Sequence, residues 1–148
     1  MQAALEEARR AEMDGEVPVG AVVVHGGVVI SRGRNHIVAR RDPTAHAEFL
    51  ALQDAGKALG NERLVGATVY VTLEPCLMCV GALILARVER VVFGAPDPKT
   101  GALGSNVDVL KLSTGNHRFA VTGGVLADDS ARLLRSFFQA RRRGGSRA

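Results

Sequence analysis

The 148-residue chain has no Trp, and aromatic residues make up only 4% of it. Its core must therefore be built mainly from Val, Leu, Ala and Ile rather than from large rings. Hydrophobic residues still amount to 47% and charged residues to 23%, which excludes global disorder. The length fits one domain and is short for two.

Long apolar runs are also missing. No stretch approaches the roughly 20 apolar residues that a transmembrane helix requires, so no membrane association is expected. The N-terminus carries Glu6 and Glu7, where a signal peptide would carry basic and then apolar residues. These two absences predict a cytoplasmic protein.

Cysteine is scarce, since Cys76 and Cys79 are the only two in the chain. In a reducing cytoplasm they are not expected to form a structural disulfide. Their Cys-x-x-Cys spacing leaves three interpretations open: half of a metal site, a redox dithiol, or two small side chains in a core.

Apolar periodicity and turn residues predict four helices and five strands. The predicted helices cover residues 5–13, 44–52, 76–86 and 126–143, and the predicted strands cover 21–24, 28–31, 67–73, 90–94 and 119–122. The first two strands form a hairpin through Gly26 and Gly27, and Thr44 is the expected N-cap of the second helix. Residues 32–43 are predicted to be irregular, because Pro43 excludes a helix across them.

Later parts of the chain carry further expectations. Residues 76–86 are almost wholly apolar, which predicts a helix buried against a sheet. The order strand, helix, strand after the hairpin implies crossover connections and parallel pairing. Residues 95–117 form a long loop rich in Gly and Pro, and loops of that length are usually functional. The last helix is predicted to place four apolar residues on one side: Leu133, Leu134, Phe137 and Phe138.

The two cysteines lie at a predicted strand-to-helix junction. Residues three apart share a helix face, so Cys76 and Cys79 can point at one atom. The unpaired N–H groups and the dipole of a first helical turn favour thiolates there. This geometry suits two thiolates on a zinc ion, and it also suits a redox dithiol.

The position of His46 favours a metal site over the other interpretations of the two cysteines. It is predicted in the first turn of the preceding helix, and two helices that each follow a strand can aim their N-termini at the same end of a sheet. His46 would then be the third ligand of a zinc ion with one position open for water. The remaining histidines, His25, His36 and His117, lack such spacing and are not expected to be ligands.

Glu48 follows His46 by two residues. The two side chains do not share a helix face, so Glu48 is not placed to bind the metal beside His46. It can instead reach a water molecule at the metal, accept its proton and deliver that proton later. Taken alone, Glu48 would be interpreted as a solvated glutamate on a helix. The combination of His-x-Glu with Pro-Cys-x-x-Cys favours the catalytic role.

The runs His46-Ala47-Glu48 and Pro75-Cys76-Leu77-Met78-Cys79 resemble the signature of the zinc-dependent nucleoside and nucleobase deaminases. Further runs, at 16–21, 42–48, 72–76, 92–95 and 99–102, resemble the bacterial tRNA adenosine deaminases, so the resemblance covers nearly the whole chain. It implies an α/β fold of the cytidine deaminase type, a three-layer αβα sandwich with a mixed five-stranded sheet. It also implies a homodimer that hydrolytically deaminates the wobble adenosine of an arginine tRNA to inosine.

The resemblance further implies roles at the catalytic centre. His46, Cys76 and Cys79 would hold one zinc ion per subunit. A zinc-activated hydroxide would attack C6 of adenine, with Glu48 as the proton shuttle and ammonia as the leaving group. The RNA partner would be the anticodon stem-loop of the tRNA.

The same resemblance implies contacts to the RNA. Asn35 would contact the flipped base through its amide, Ala47 through its backbone, and Val17 by packing. The long loop would line the mouth of the pocket through five residues, Asp97, Lys99, Thr100, Ser105 and Asn106, with Lys99 on a phosphate. The sequence departs from the family pattern on either side of Asn35: Arg34, His36 and Ile37 stand where many bacterial members carry an aromatic residue and Arg-Pro.

Positive charge is in mild excess, with a formal net charge of +4. It is concentrated at the C-terminus in Arg141, Arg142, Arg143 and Arg147. Such a cluster fits a phosphate-binding surface and fits a solvated tail equally well. Residues 1–143 are predicted to form the deaminase domain, and 144–148 a basic flexible tail.

Three other functions are compared with tRNA deamination. The nearest alternative is deamination of a free nucleobase or nucleoside such as guanine, cytosine or cytidine. A non-catalytic RNA-binding module with a structural zinc would need a fourth protein ligand, and the chain has no third cysteine. A redox dithiol would leave His46 and Glu48 without a role.

Overall fold

The computed structural model describes residues 1–112 and 115–145. Its α-helices are α1 (Gln2–Met13), α2 (Ile37–Arg40), α3 (Ala47–Leu59), α4 (Leu77–Leu85) and α5 (Ala127–Gly144). Its strands are β1 (Gly20–His25), β2 (Val28–Arg34), β3 (Thr68–Leu73), β4 (Arg90–Ala95) and β5 (Ala120–Thr122). A 3-10 turn covers Val109–Lys111 in the long loop.

The strands form one sheet in the order β2-β1-β3-β4-β5. β1 pairs antiparallel with β2 and with β3, whereas β3, β4 and β5 run parallel to one another. The parallel pairing follows from the crossover through α4, since strands joined by a helix on one face must point the same way. The predicted mixed five-stranded sheet is therefore confirmed.

Helices cover both faces of this sheet. α1 and α5 pack on one face, and α3 and α4 pack together on the other. The central strands are buried on both sides, with Val69, Val71 and Val91 fully inside. These small branched side chains form the core that the low aromatic content predicts, and the three layers confirm the αβα sandwich.

Two glycines let helices approach the sheet closely. A Cβ atom at Gly20 would lie 2.1 Å from the backbone oxygen of Ala4 in α1. A Cβ atom at Gly33 would lie 2.3 Å from the backbone oxygen of Ala47 and 2.7 Å from the backbone nitrogen of Ala51, both in α3. Since no side chain fits at Gly33, the start of α3 lies directly on β2.

The predicted irregular stretch 32–43 is wrong in part. β2 continues to Arg34, and α2 forms before Pro43 is reached. The backbone N–H groups of Val38 and Ala39 in α2 donate to the carboxylate of Glu16 at 3.1 and 2.8 Å. This cap comes from a residue far away in sequence, so local periodicity does not indicate it.

The start predicted for α3 is also wrong. Its N-cap is His46 rather than Thr44, and the helix runs on to Leu59. The Thr44 backbone N–H and hydroxyl both donate to the Asp42 carboxylate, at 2.8 and 2.7 Å. That local turn uses the capping capacity of Thr44, so the helix begins after His46.

The predicted burial of α4 against the sheet holds on one side of the helix only. Only Cys79, Val80 and Leu83 are buried in it, whereas Leu77 is 62% and Leu85 80% exposed. The helix therefore contacts the rest of the chain on one side only. Its other side presents apolar residues outward.

The predicted apolar side of α5 holds in part. Phe137 is buried, whereas Phe138 is 44% exposed. Adjacent residues on a helix point about 100° apart, so these two rings do not face the sheet together. Among the residues described, no helix is long and apolar enough to cross a membrane.

The long loop is more ordered than its sequence suggests. Isolated bridges join Cys76 to Gly101 and Leu103 to Asp108. Residues 113 and 114 of this loop lie outside the described residues. So do residues 146–148 of the predicted tail, including Arg147, while Gly144 is the last residue of α5.

Candidate metal centre and active site

Two helix N-termini bring three metal-ligand side chains together. His46 is the N-cap of α3, one position before the predicted first turn, and Cys76 is the N-cap of α4. Cys79 lies in the first turn of α4 and is fully buried. The Nδ1 atom of His46 lies 3.7 Å from the sulfur of Cys76 and 3.6 Å from the sulfur of Cys79. The structure thus places the predicted ligands at one point.

These three side chains fit a zinc ion. Their candidate ligand atoms all lie within 4.8 Å of one another. Tetrahedral bonds of about 2.3 Å to sulfur and about 2.0–2.1 Å to nitrogen place ligand atoms roughly 3.6 Å apart. The observed Nδ1–sulfur distances match that separation. Among residues 1–112 and 115–145, no fourth His, Cys, Asp or Glu joins the group, as expected for a centre with one open position.

The hydrogen bonds among the two thiols and the imidazole favour the binding of a cation. Hydrogen bonds from Cys79 and His46 lower the pKa of Cys76 to about 4, against the opposing effect of burial. The same contact with Cys76 raises the pKa of Cys79, and a hydrogen bond to Cys76 raises the pKa of His46. A divalent cation would replace the protons held between these atoms, because ligating thiols bind as thiolates.

Glu48 lies beside this donor set. It is the first-turn acid of α3 and only 4% exposed. Burial raises the pKa of Glu48 to about 7, and a backbone hydrogen bond and the nearby charge of His46 work against that rise. A buried carboxyl with a pKa near neutrality can both accept and return a proton. Glu48 is thus not the solvated helix glutamate of the simpler interpretation.

The predicted base-contacting residues lie together next to α3. Asn35 is 6% exposed. Its Oδ1 accepts the backbone N–H of Ala47 at 3.0 Å, and its Nδ2 donates to the backbone oxygen of Val17 at 3.2 Å. Asn35 therefore ties the segment before β1 to the residue between His46 and Glu48. Val17 is partly buried and packs against the core.

The predicted loop residues gather around a buried acid. Glu74 is 2% exposed, and its carboxylate accepts backbone N–H groups of Asp97, Leu103 and Ser105, each at 3.0 Å. Burial raises the pKa of Glu74, but the hydrogen bonds from Ser105, Asp97 and Leu103 outweigh it and hold that pKa below its ordinary value. The carboxylate therefore stays charged inside the loop.

Three of the predicted loop side chains, those of Asp97, Thr100 and Asn106, form hydrogen bonds inside the loop itself. The Asp97 carboxylate accepts the backbone N–H of Lys99 at 3.0 Å and the hydroxyl of Thr100 at 2.7 Å. The side-chain amide of Asn106 donates to the backbone oxygen of Lys99. These bonds fix the backbone from which Lys99 and Ser105 extend.

Lys99 borders a cleft of about 550 Å³ between the long loop and α5. Its other lining residues are Leu134, Arg135, Phe138, Arg141 and Arg142. The exposed ring of Phe138 and the arginines thus face the same space as Lys99. The structure brings part of the basic C-terminus next to the loop that was expected to bind RNA.

Sequence reasoning missed the two buried glutamates that hold this region, Glu16 and Glu74. Both are 2% exposed and both accept backbone N–H groups from distant segments. An acidic residue at the end of an apolar strand, in Leu73-Glu74-Pro75, was an available signal. Its partners are 23 to 31 residues away, so the sequence gives no sign of which groups it binds.

Comparison with known proteins agrees with this geometry. The family model of the MafB19-like deaminases matches residues 1–142. A tRNA-specific adenosine deaminase of Bacillus subtilis (strain 168) is 49% identical over 139 residues, which cover 94% of this chain and 86% of that protein. The chain belongs to the tRNA-specific adenosine deaminase family.

Solved structures extend the family comparison. A structure from studies of A-to-I editing by tRNA:A34 deaminases at the wobble position of transfer RNA has a TM-score of 0.88 and 47% identity. The match covers 90% of this chain and 97% of that one. A guanine deaminase from Nitrosomonas europaea is more distant, with a TM-score of 0.73 and 28% identity over 92% of this chain and 81% of that one. The chain thus resembles the tRNA deaminase more than the free-base deaminase.

Proposed function

We propose that this chain hydrolyses the 6-amino group of the wobble adenosine in the anticodon of an arginine tRNA, giving inosine and ammonia. The observation that carries this proposal is the buried Glu48 carboxyl next to His46, Cys76 and Cys79. That combination supplies a metal site with an open position and a proton carrier beside it. Membership of the tRNA-specific adenosine deaminase family supports adenosine as the base.

We propose zinc as the metal, one ion per subunit, held by His46, Cys76 and Cys79. Imidazole and thiolate ligands are those that zinc prefers, and the spacing of the donor atoms fits its bond lengths. When bound, the ion supplies Lewis-acid activation of water at neutral pH.

Glu48 moves the protons of the reaction. Its carboxylate accepts a proton from the attacking water as the new bond to C6 of adenine forms. The resulting carboxylic acid delivers that proton to the ring nitrogen of the base. The carboxylate then takes the remaining proton from the hydroxyl group on C6 and delivers it to the amino group, so the C6 carbonyl of inosine forms and ammonia departs. A pKa of about 7 lets the same group work in both directions.

The base pocket is formed next to the start of α3. Asn35 would contact the base with the amide hydrogen that its bond to Val17 leaves available, since an amide nitrogen carries two donors. Val17 would pack on the ring. Ala47 would contact the base through its backbone, and its N–H also donates to Asn35, which fixes the amide in place.

The RNA would lie across the long loop and α5. Bases of an anticodon loop are single-stranded and can be turned outward into a pocket. Lys99 and the arginines of the adjoining cleft supply positive charge for the flanking phosphates, and the exposed ring of Phe138 offers a stacking surface. A tRNA substrate would place the reaction in the cytoplasm.

A homodimer is part of the proposal. Its support is the open apolar groove of about 950 Å³ between α3 and α4. Apolar residues that line it include Phe49, Leu52, Ala82, Ile84 and Leu85. The exposed side chains of Leu77 and Leu85 on α4 add apolar surface that a second subunit would cover.

Incubation with an arginine-tRNA anticodon stem-loop that carries adenosine at the wobble position tests the activity. Inosine should appear at that position alone, and adenosines elsewhere in the RNA should persist, as read by reverse transcription and sequencing. A stem-loop that remains unmodified by zinc-loaded protein would contradict the proposal.

Deamination of free guanine is the second candidate. The structural similarity to the Nitrosomonas europaea guanine deaminase is the observation that favours it. Its lower identity makes it the weaker of the two.

A further inference from the structure

We infer that Glu74 is a positioning residue for the RNA substrate: its buried carboxylate sets the conformation of the loop 97–106. The inference rests on the proposed function, in which this loop meets the nucleotides that flank the target adenosine. Glu74 itself touches neither the proposed metal nor the base pocket residues in the bonds that it makes. It would act through the backbone that it holds.

The carboxylate lies at the centre of the loop. One oxygen accepts the backbone N–H groups of Leu103 and Ser105, and the other accepts the N–H of Asp97, all at 3.0 Å. These donors lie at the two ends of the loop. A single side chain therefore fixes where the loop leaves β4 and where it returns.

The space around Glu74 is tightly filled. A Cβ atom at Gly101 would lie 2.5 Å from the carboxyl carbon of Glu74 and 2.5 Å from the backbone oxygen of Asp97. Only glycine leaves room for the carboxylate to reach its donors. The hydrogen bonds of Glu74 at the centre of the loop therefore require glycine at position 101.

The same loop is attached to the proposed metal ligands. The backbone N–H of Ala102 donates to the backbone oxygen of Pro75 at 2.8 Å, and Gly101 forms an isolated bridge with Cys76. The backbone N–H of Glu74 donates to Ala95 at the end of β4 at 2.9 Å. Because Glu74 lies two residues before Cys76, it links the position of the loop to the candidate catalytic centre.

Four of the residues expected to meet RNA are exposed on this loop: Lys99, Thr100, Ser105 and Asn106. Lys99 lies between Asp97 and Thr100, whose mutual bonds shape the turn. The backbone N–H of Ser105 donates to the Glu74 carboxylate. If the backbone N–H groups lose the Glu74 carboxylate as their acceptor, the backbone under Lys99 and Ser105 loses its fixed position, and bound RNA must order it again.

The test is Glu74→Gln in the full-length, zinc-loaded protein. Glutamine keeps the volume but turns an N–H₂ group toward at least one backbone donor. We expect unchanged zinc by elemental analysis, a KM for the anticodon stem-loop raised about tenfold, and a kcat within about twofold of wild type, as loss of a charge-assisted contact network predicts. The split between KM and kcat is what a merely destabilising change would not produce.

Asp108→Asn is the matched control. Asp108 also accepts a loop backbone N–H, from Leu110 at 3.2 Å, but it lies beyond the residues expected to meet RNA. This variant should leave both KM and kcat unchanged. Equal effects of the two substitutions on KM would overturn the positioning role of Glu74.

Hydrogen exchange separates this inference from the proposed function. In Glu74→Gln the amide protons of Asp97, Leu103 and Ser105 should exchange faster than in wild type, whatever the substrate is. Unchanged exchange, or loss of zinc, would overturn the inference. A different outcome is that the variant exchanges faster but the wild-type protein does not deaminate the stem-loop. That result would contradict the proposed function, and Glu74 would remain the residue that holds the loop.

Discussion

At the scale of single residues, the proton-carrying role of Glu48 can be tested most directly. Glu48→Gln keeps the shape of the side chain but removes its ability to accept a proton. We expect the variant to keep its zinc and to lose deamination by about 10²–10⁴-fold, the usual contribution of a general acid–base group. Single-turnover kinetics on the stem-loop, with zinc content measured in parallel, would show this. Turnover close to wild type would contradict the role.

Cys76 carries the prediction about the metal. Cys76→Ser replaces a thiolate by a weak ligand at the N-cap of α4, so zinc content should fall below one ion per subunit and the melting temperature should fall with it. Elemental analysis and thermal denaturation measure the two effects. Met78→Leu, which lies between the two cysteines, should keep full zinc content. A Cys76→Ser protein with an intact complement of zinc would exclude Cys76 as a ligand.

Spacing predicted Cys76 and Cys79 as a pair of candidate ligands, because helix geometry fixes how residues at i and i+3 are presented. His46 and Glu48 followed from a short motif, and both lie where that motif requires. Glu16 and Glu74 were not predicted, because a buried carboxylate is specified by the distant N–H groups that surround it. The periodicity of the sequence does not show which N–H groups those are.

At the scale of secondary-structure elements, the distance between α3 and β2 decides whether the site can form. Gly33→Ala would place a methyl group against backbone atoms of Ala47 and Ala51 at 2.3 and 2.7 Å. Backbone atoms do not move aside as a flexible side chain does, so α3 must shift away from the sheet. We expect a loss of about 1–3 kcal/mol in the free energy of unfolding, measured by urea denaturation, together with weaker zinc binding.

Gly81→Ala is the control for that substitution. Gly81 lies inside α4, has no atom within 4 Å of its added Cβ, and should be neutral or stabilising by about 0.5–1 kcal/mol. If both alanine variants unfolded at the same urea concentration, close packing at Gly33 would not be what positions α3.

Most elements and their types were predictable, whereas their boundaries and the short helix α2 were not. The strands follow from runs of Val and Ile, and the hairpin from Gly26 and Gly27. The start of α3 was misplaced because Asp42 competes for the hydroxyl of Thr44. α2 was missed because its cap comes from Glu16. In both cases a side chain outside the local pattern decides where the helix begins.

At the scale of the whole molecule, the basic cleft beside the long loop should make RNA binding electrostatic. The logarithm of the association constant should fall linearly with the logarithm of salt concentration, and Lys99→Ala should reduce the slope by about 0.7 if Lys99 meets one phosphate of a single strand. Fluorescence anisotropy with a labelled stem-loop measures the slope. Lys57→Ala, at the far end of α3 and paired with Asp54, is the control. Equal slopes for Lys99→Ala and wild type would remove Lys99 from the RNA contacts.

The whole fold was predictable in outline. Strand order and layers follow from the hairpin and the crossover through α4, and they place the N-termini of α3 and α4 at one end of the sheet. The outward apolar side of α4 was not predicted, because an apolar helix sequence does not show how much of it a neighbouring element covers. Its exposure is a property of the assembled molecule.

The central claim is that an anticodon adenosine, and not a free base, is the substrate. The most direct measurement is kcat/KM of the zinc-loaded protein for the wobble-adenosine stem-loop, compared with free adenosine and free guanine under the same conditions. Binding energy from the flanking nucleotides should raise kcat/KM for the stem-loop by about 10³-fold or more. Free guanine or adenosine deaminated as efficiently as the stem-loop would contradict the claim.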